Sequence, residues 1–282
     1  MHLEESREIR HRWGRSLALL SVYGQQAAKY EQILTTDPDN VDALVCRGYA
    51  FEKLGRYEDA IVYFERAIVL CPQCALAWQG RGLSLGKLCH NEEALTSFCQ
   101  ALKFEPNNYR TWQNHGKVLL NLSRYSEAIV SFDRALALNS DSHKALCNRG
   151  IALSRLNRQQ AALLDVDLAL KIKPNCDYVW NYRGMILNKL RRYAEALVSF
   201  ENCLKLNDRS ASAWYGKACT HALRGELDQA LENLGRAIQW SPDVIRGMAT
   251  TDLSFQAIRA DARFQALIQK EVTVLQPVCV TD

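Results

Sequence analysis

Residues 41–74 read VDALVCRGYAFEKLGRYEDAIVYFERAIVLCPQC, and their frame returns along the chain every 34 residues. Gly48 belongs to the series Gly14, Gly48, Gly82, Gly116, Gly150 and Gly184. Ala60 belongs to a second series with Ala94, Ala128, Ala162, Ala196 and Ala230. A third runs through Ala67, Ala101, Ala135, Ala169 and Ala237, with Cys203 in its one gap. Pro38, Pro72, Pro106, Pro174 and Pro242 mark the repeat ends. A fixed period in this range marks a chain built from stacked supersecondary units, and this one suits helix–turn–helix.

The residue types explain the period. Glycine inside a helix costs roughly 1 kcal/mol against alanine, so a repeated one needs a packing reason. Its missing side chain predicts a close approach by a second helix, and the in-phase alanine serves the same contact. Proline has no N–H to give the preceding turn and so closes the second helix. Tyr57, Phe64 and Leu70 fill the larger places around Ala60 and Ala67.

These residues resemble the tetratricopeptide repeat (TPR) family. Between Val41 and Cys74, the positions of Gly48, Tyr57, Ala60, Phe64, Ala67 and Pro72 match the family pattern, and Trp78, Trp112, Trp180 and Trp214 match its tryptophan near the start of the first helix. Arg47, Arg81, Arg149 and Arg183, each just before the glycine, resemble bacterial arrays, cyanobacterial ones especially. The resemblance implies an all-α, right-handed α-solenoid of seven helical hairpins, framed as 7–40, 41–74, 75–108, 109–142, 143–176, 177–210 and 211–244. Residues 1–40 read as a degenerate N-terminal repeat and cap, 41–244 as six regular repeats, 245–270 as a C-terminal helical cap and 271–282 as a flexible tail. In the cap, Asp261 is the predicted N-cap of one of two short amphipathic helices.

Composition narrows the function. A net charge of +4 is mild for a nucleic-acid binder, which argues against that class of partner. The longest apolar runs fall short of a membrane span, so no membrane insertion is expected. Ten cysteines in a chain of 282 residues do not suggest a small disulfide scaffold. Cys46, Cys99, Cys147, Cys203 and Cys219 read as small hydrophobes inside helices, and the chain as cytoplasmic. The basic cluster Arg7, Arg10, His11, Arg12 and Arg15 reads as a solvated cap face.

No catalytic motif is present: there is no HExxH, no phosphate-binding glycine loop and no GxSxG. Neither an enzyme nor a cofactor is expected. Cys71-Pro-Gln-Cys74 is a metal-like pair without the second pair that a zinc site needs. The scattered histidines, His115 and His143 included, read as structural or solvated.

The resemblance also implies a protein-binding scaffold that holds an extended peptide along the first helix of each repeat. On this sequence the candidate binding residues are Tyr49, Arg110, Gln113, Asn114, Lys117, Lys144, Asn148 and Arg155, continuing with Tyr178, Asn181, Tyr182, Met185 and Tyr215. The cations and amides of the middle repeats suit carboxylates and peptide groups. The tyrosines and Met185 suit an apolar anchor. One protein or peptide ligand with acidic character is expected to lie from about Arg110 to Tyr215. The family's chaperone-tail clamp is incomplete, because Gln79 and Leu83 replace its first Lys and Asn and Asn148 its last Arg. A regulatory or substrate-presenting arm of an enzyme complex is the alternative, and an RNA-binding helical array is less favoured.

Overall fold

The structure is a computed structural model that describes residues 21–269. Gly14, the basic cluster around His11 and the expected tail 271–282 lie outside the described residues. The described residues form helices, with no strand among them. The chain divides into two compact units between Leu156 and Asn157.

Unit 1 contains α1 (21–36), α2 (Val41–Lys53), α3 (Tyr57–Leu70), α4 (Ala75–Lys87), α5 (Asn91–Phe104), α6 (Tyr109–Asn121), α7 (Tyr125–Leu138) and α8 (His143–Arg155). The pairs α2/α3, α4/α5 and α6/α7 pack as consecutive hairpins, and α2, α4, α6 and α8 also meet their neighbours in that series. The glycines fit an aromatic ring. A Cβ on Gly48 would stand 2.7 Å from the Phe64 ring, one on Gly82 2.9 Å from Phe98, and one on Gly116 2.7 Å from Phe132. What enters the glycine's space is therefore the phenylalanine of the paired helix. Ala60, Ala94 and Ala128 are fully buried beside it.

Unit 2 contains α9 (Gln159–Ile172), α10 (Asp177–Lys189), α11 (Tyr193–Leu206), α12 (Ala211–Leu223), α13 (Leu227–Trp240), α14 (Pro242–Thr251), a 3-10 turn (Leu253–Ile258) and α15 (Ala262–Ile268). It repeats the same interlock: a Cβ on Gly184 would stand 2.6 Å from the Phe200 ring, and one on Gly216 2.4 Å from it. Pro242 opens α14 at its first position, where the missing N–H costs nothing, rather than ending α13. The segment expected to form two short helices thus forms a helix, a 3-10 turn and a second helix. Phe255, Phe264, Ile245 and Ile258 bury the apolar face of α12 and α13. Asp261 caps α15 as predicted, accepting from the backbone N–H groups of Arg263 and Phe264.

Three further periodic devices operate inside the units. Four tryptophan indoles donate to the carbonyl near the end of the preceding repeat: Trp78 to Pro72 at 2.8 Å, Trp112 to Pro106 at 2.7 Å, Trp180 to Pro174 at 2.8 Å and Trp214 to Asp208 at 2.9 Å. Asp208 replaces proline without loss because the acceptor is a backbone carbonyl. Asn40, Asn108, Ser142 and Ser210 cap the first helices through their side chains. Cys74 stands at that same capping register and Cys71 closes α3, so the spacing of this pair is that of a helix end and the next helix start. Left-handed turn residues recur between the helices, at Gly55, Cys89 and Ser123 in unit 1 and at Asn157, Arg191 and Gly225 in unit 2. Glycine adopts that conformation without a Cβ penalty, whereas Arg191 bears it.

Replacing Gly116 by leucine drives a side chain into the Phe132 ring and is expected to cost about 1–3 kcal/mol or more. Chemical denaturation should show the lower midpoint; an unchanged midpoint would mean that the ring yields freely.

Candidate functional site

In unit 1, side chains from α2, α4, α6 and α8 surround an open groove of about 710 Å³. Because the rings and alanines occupy the contacts between paired helices, the polar residues of the first helices remain available to line it. Five predicted residues meet there: Tyr49, Arg110, Gln113, Asn114 and Lys144. Lys117 and Asn114 border a smaller recess of about 180 Å³ against Gly82 and Phe98. Asn148 and Arg155 lie on α8 outside the residues that line either cavity. Lys53 and Tyr109, which are not among the candidate residues, also line the groove. Their repeat positions were available as a signal, but not the geometry that brings them to the same cavity.

The groove is polar and cationic. Lys53, Arg110 and Lys144 face it with Asp141 as the acidic counterpart. Arg110 Nε donates to the Tyr109 hydroxyl at 3.1 Å. That bond, outweighing partial burial and assisted by Arg110 and Lys144 charge, holds the Tyr109 phenol below its ordinary pKa. The Tyr49 hydroxyl donates to Leu76 O at 3.0 Å, and burial followed by the Glu52 carboxylate pushes its pKa up. Tyr49 is therefore a neutral wall, fixed across α2 and α4. Gln113 is oriented by Ser142, whose hydroxyl donates to Oε1 at 2.8 Å.

In unit 2, α10, α12 and α14 enclose a cavity of about 610 Å³ whose wall is mainly apolar: Met185, Tyr215, Cys219, Val244, Ile245 and Met248. Met185, Val244 and Met248 are themselves exposed. Val244 and Met248 were missed by sequence reasoning because α14 lies beyond the counted repeats; their spacing of one helical turn was the signal. Of the predicted residues, Met185 and Tyr215 reach this cavity, whereas Tyr178, Asn181 and Tyr182 are outside its lining. Tyr215 is only 6% exposed, packed edge-on to Phe255. Its hydroxyl donates to Asp252 Oδ2 at 2.8 Å. Asn181 is also buried, and its amide donates to Met185 Sδ at 3.8 Å.

Asp252 is the hub that joins the cap to α12. Besides Tyr215, it accepts from the Ser254 backbone N–H at 2.8 Å and from the Cys219 thiol at 3.7 Å. Burial alone would raise its pKa, but the hydrogen bonds from Ser254, Tyr215 and Cys219 together bring it below the ordinary carboxylate value. Burial and the Asp252 charge correspondingly push the Cys219 thiol up.

The cysteine expectation also needs correction. Cys147, Cys203 and Cys219 are buried as expected, Cys46 is half-buried, and Cys99 is exposed. Helical position alone could not distinguish Cys99, because exposure is decided by how α5 packs on its neighbours.

Comparison with known proteins agrees with the geometry. The tetratricopeptide repeat family matches residues 41–74, 114–175 and 179–243. The chain is a tetratricopeptide repeat protein. A chain in the crystal structure of the APC/C hetero-tetramer Cut9-Hcn1 is similar at 16% identity and a TM-score of 0.71, over 90% of this chain and 48% of that one. This TPR protein therefore spans about half the length of that relative. Pseudomonas aeruginosa pilF is similar at 19% identity and a TM-score of 0.64, over 78% of this chain and 96% of that one. YrrB, described as a TPR protein with an unusual peptide-binding site, is similar at 24% identity and a TM-score of 0.52, over 66% and 96% of the two chains. These likenesses establish the fold. No curated protein sequence matches the chain. The repeats support a protein–protein interaction scaffold, a fold that is typically non-catalytic. No helix among the described residues is long and apolar enough to cross a membrane.

The Asp252 hub predicts a pH dependence. A lowered folded-state pKa gives stabilisation that is fully present above the unfolded value of about 3.9 and is lost as pH falls through the folded one. Asp252→Asn should therefore be less stable than the wild type at neutral pH, with the gap closing below about pH 4. Denaturation curves at several pH values should show this; a constant gap would exclude the carboxylate charge as its source.

Proposed function

We propose that this TPR protein is a non-catalytic scaffold that holds an extended peptide segment of a protein partner in the unit 1 groove, and that the ligand is acidic. The observation that carries the reading is the convergence of Arg110, Lys144 and Lys53 with the amides of Gln113 and Asn114 around one open cavity. Amides pair with a peptide backbone in any sequence, while ammonium and guanidinium groups favour carboxylates. Selection therefore resides in the ligand's charge. The peptide-binding site named for YrrB supports the same class of ligand.

The unit 2 cavity has a different chemistry and suits an apolar side chain. Met185 and Met248 supply adaptable thioether walls, and Val244 and Ile245 supply aliphatic surface. Tyr215 serves as a fixed wall rather than a mobile aromatic contact, since Asp252 holds its hydroxyl.

Fluorescence anisotropy with labelled extended peptides of acidic, neutral and basic composition tests the reading. The acidic peptide should bind most tightly, and more weakly at high salt, because the Debye length shrinks from about 10 Å at 0.1 M to about 3 Å at 1 M. Arg110→Glu with Lys144→Glu should weaken binding about tenfold, roughly 1.4 kcal/mol, with helical content unchanged. Full-strength, salt-independent binding by that folded double variant would rule the groove out as the acidic-peptide site.

A further inference from the structure

An acid–base ladder links successive hairpins inside each unit. An acid on the second helix of one hairpin pairs with a base sixteen residues later, on the first helix of the next. The pairs Glu65–Arg81 and Asp133–Arg149 in unit 1, and Asp167–Arg183 and Glu201–Lys217 in unit 2, close at 2.6–3.5 Å. Glu31 pairs with Arg47 at the same register. In two rungs the base also donates to a serine a further sixteen residues on: Arg81 to Ser97 at 2.9 Å and Arg183 to Ser199 at 2.7 Å.

One rung has different chemistry. Where the others carry a carboxylate and a cation, the rung between α5 and α6 carries Cys99 and His115, with Sγ and Nε2 3.5 Å apart. His115 Nδ1 is 2.9 Å from Ser131 Oγ, which preserves the third position of the ladder. The hydrogen bonds assign the imidazole tautomer. Ser131 donates its hydroxyl proton to Glu127 O at 3.0 Å, so its oxygen accepts from His115 Nδ1–H. Nε2 is then the acceptor and faces the thiol. Trp112 holds the ring edge-on at 5.8 Å. Burial, with the nearby Arg124 cation, keeps the imidazole below its ordinary pKa despite the opposing Glu127 charge. Burial holds the thiol above its ordinary value, with Arg124 pulling the other way. The pair therefore rests uncharged, with a free base positioned beside the thiol of a residue that is itself exposed.

We propose that Cys99 is a modification site for hydroperoxides, with His115 as its general base and Ser131 as the residue that positions the imidazole. The thiol proton passes to His115 Nε2 as sulfur attacks the terminal peroxide oxygen. An S–O bond forms, the O–O bond breaks, and the leaving hydroxide takes the proton from His115. Thiol and hydrogen peroxide become sulfenic acid and water. A second equivalent of peroxide oxidises the sulfenic acid to the sulfinic acid with release of another water. The ionised sulfinate places an anion at the register of Glu65 and Asp133, opposite a group able to become imidazolium. Oxidation thereby converts this neutral rung into an ion pair like its neighbours among the described residues.

Cys89 is an internal comparator: it is exposed, and its thiol has no hydrogen-bond partner among the described residues. The full chain is treated with hydrogen peroxide in the presence of dimedone, which traps sulfenic acids, and the labelled peptides are quantified by mass spectrometry. Cys99 should be trapped at least about tenfold faster than Cys89, the low end of what a positioned base supplies. His115→Gln, which can retain a bond to Ser131, should remove that lead. In guanidinium the two wild-type rates should converge, which decides the matter even if His115→Gln fails to fold. Equal trapping in the native protein, a lead retained in folded His115→Gln, or a lead that persists in guanidinium would overturn the proposal.

Discussion

The fit of a phenylalanine ring into the space left by a glycine organises both units. Phe64, Phe132 and Phe200 are completely buried, each against a glycine of its paired helix. Phe64 also meets Gly80 of α4, and Phe200 meets Gly216 of α12, so a single ring joins one hairpin to the next. Burying such a ring contributes about 1.5–3 kcal/mol relative to exposing it. The glycines cost helix propensity, but they admit a side chain that no alanine-for-glycine replacement would accommodate without movement. One hairpin-to-hairpin contact in each unit is fixed in this way, as expected for a fold in which each repeat packs on its neighbours.

This arrangement has a functional consequence. Since the ring and alanine positions secure the hairpin contacts, the remaining positions of the first helices vary without disturbing the interlock. Unit 1 uses that freedom for amides and cations, and unit 2 for methionine and aliphatic surface. The Cys99–His115 rung shows the same freedom at another register, where five sister rungs retain acid and base. The repeat thus specifies location, and the local residue specifies chemistry.

Much of the fold was legible because glycine, alanine, proline and tryptophan each have a distinct steric or hydrogen-bonding role and recur in phase. The left-handed turn was less visible: Gly55 and Gly225 signal it, but Cys89, Ser123 and Arg191 do not, since their conformation is imposed by the helices around them. Tyr49 on α2, Arg110, Gln113 and Asn114 on α6 and Lys144 on α8 followed from the helical register. Val244 and Met248 did not, because α14 departs from the repeat pattern, and the burial of Tyr215 depended on Asp252 from that same segment. Cys99 and His115 were hidden for a related reason: they lie sixteen residues apart, and only the packing of α5 on α6 brings them together.

The interlock is tested most directly by a double-mutant cycle between Gly116→Ala and Phe132→Leu, measured by chemical denaturation. The added Cβ at position 116 would lie 2.7 Å from the Phe132 ring. The glycine substitution should therefore destabilise the wild type but cost markedly less when leucine replaces the ring, giving a coupling energy of about 1 kcal/mol or more. Effects that add to within roughly 0.3–0.5 kcal/mol would contradict the account, because glycine and ring would then be acting independently.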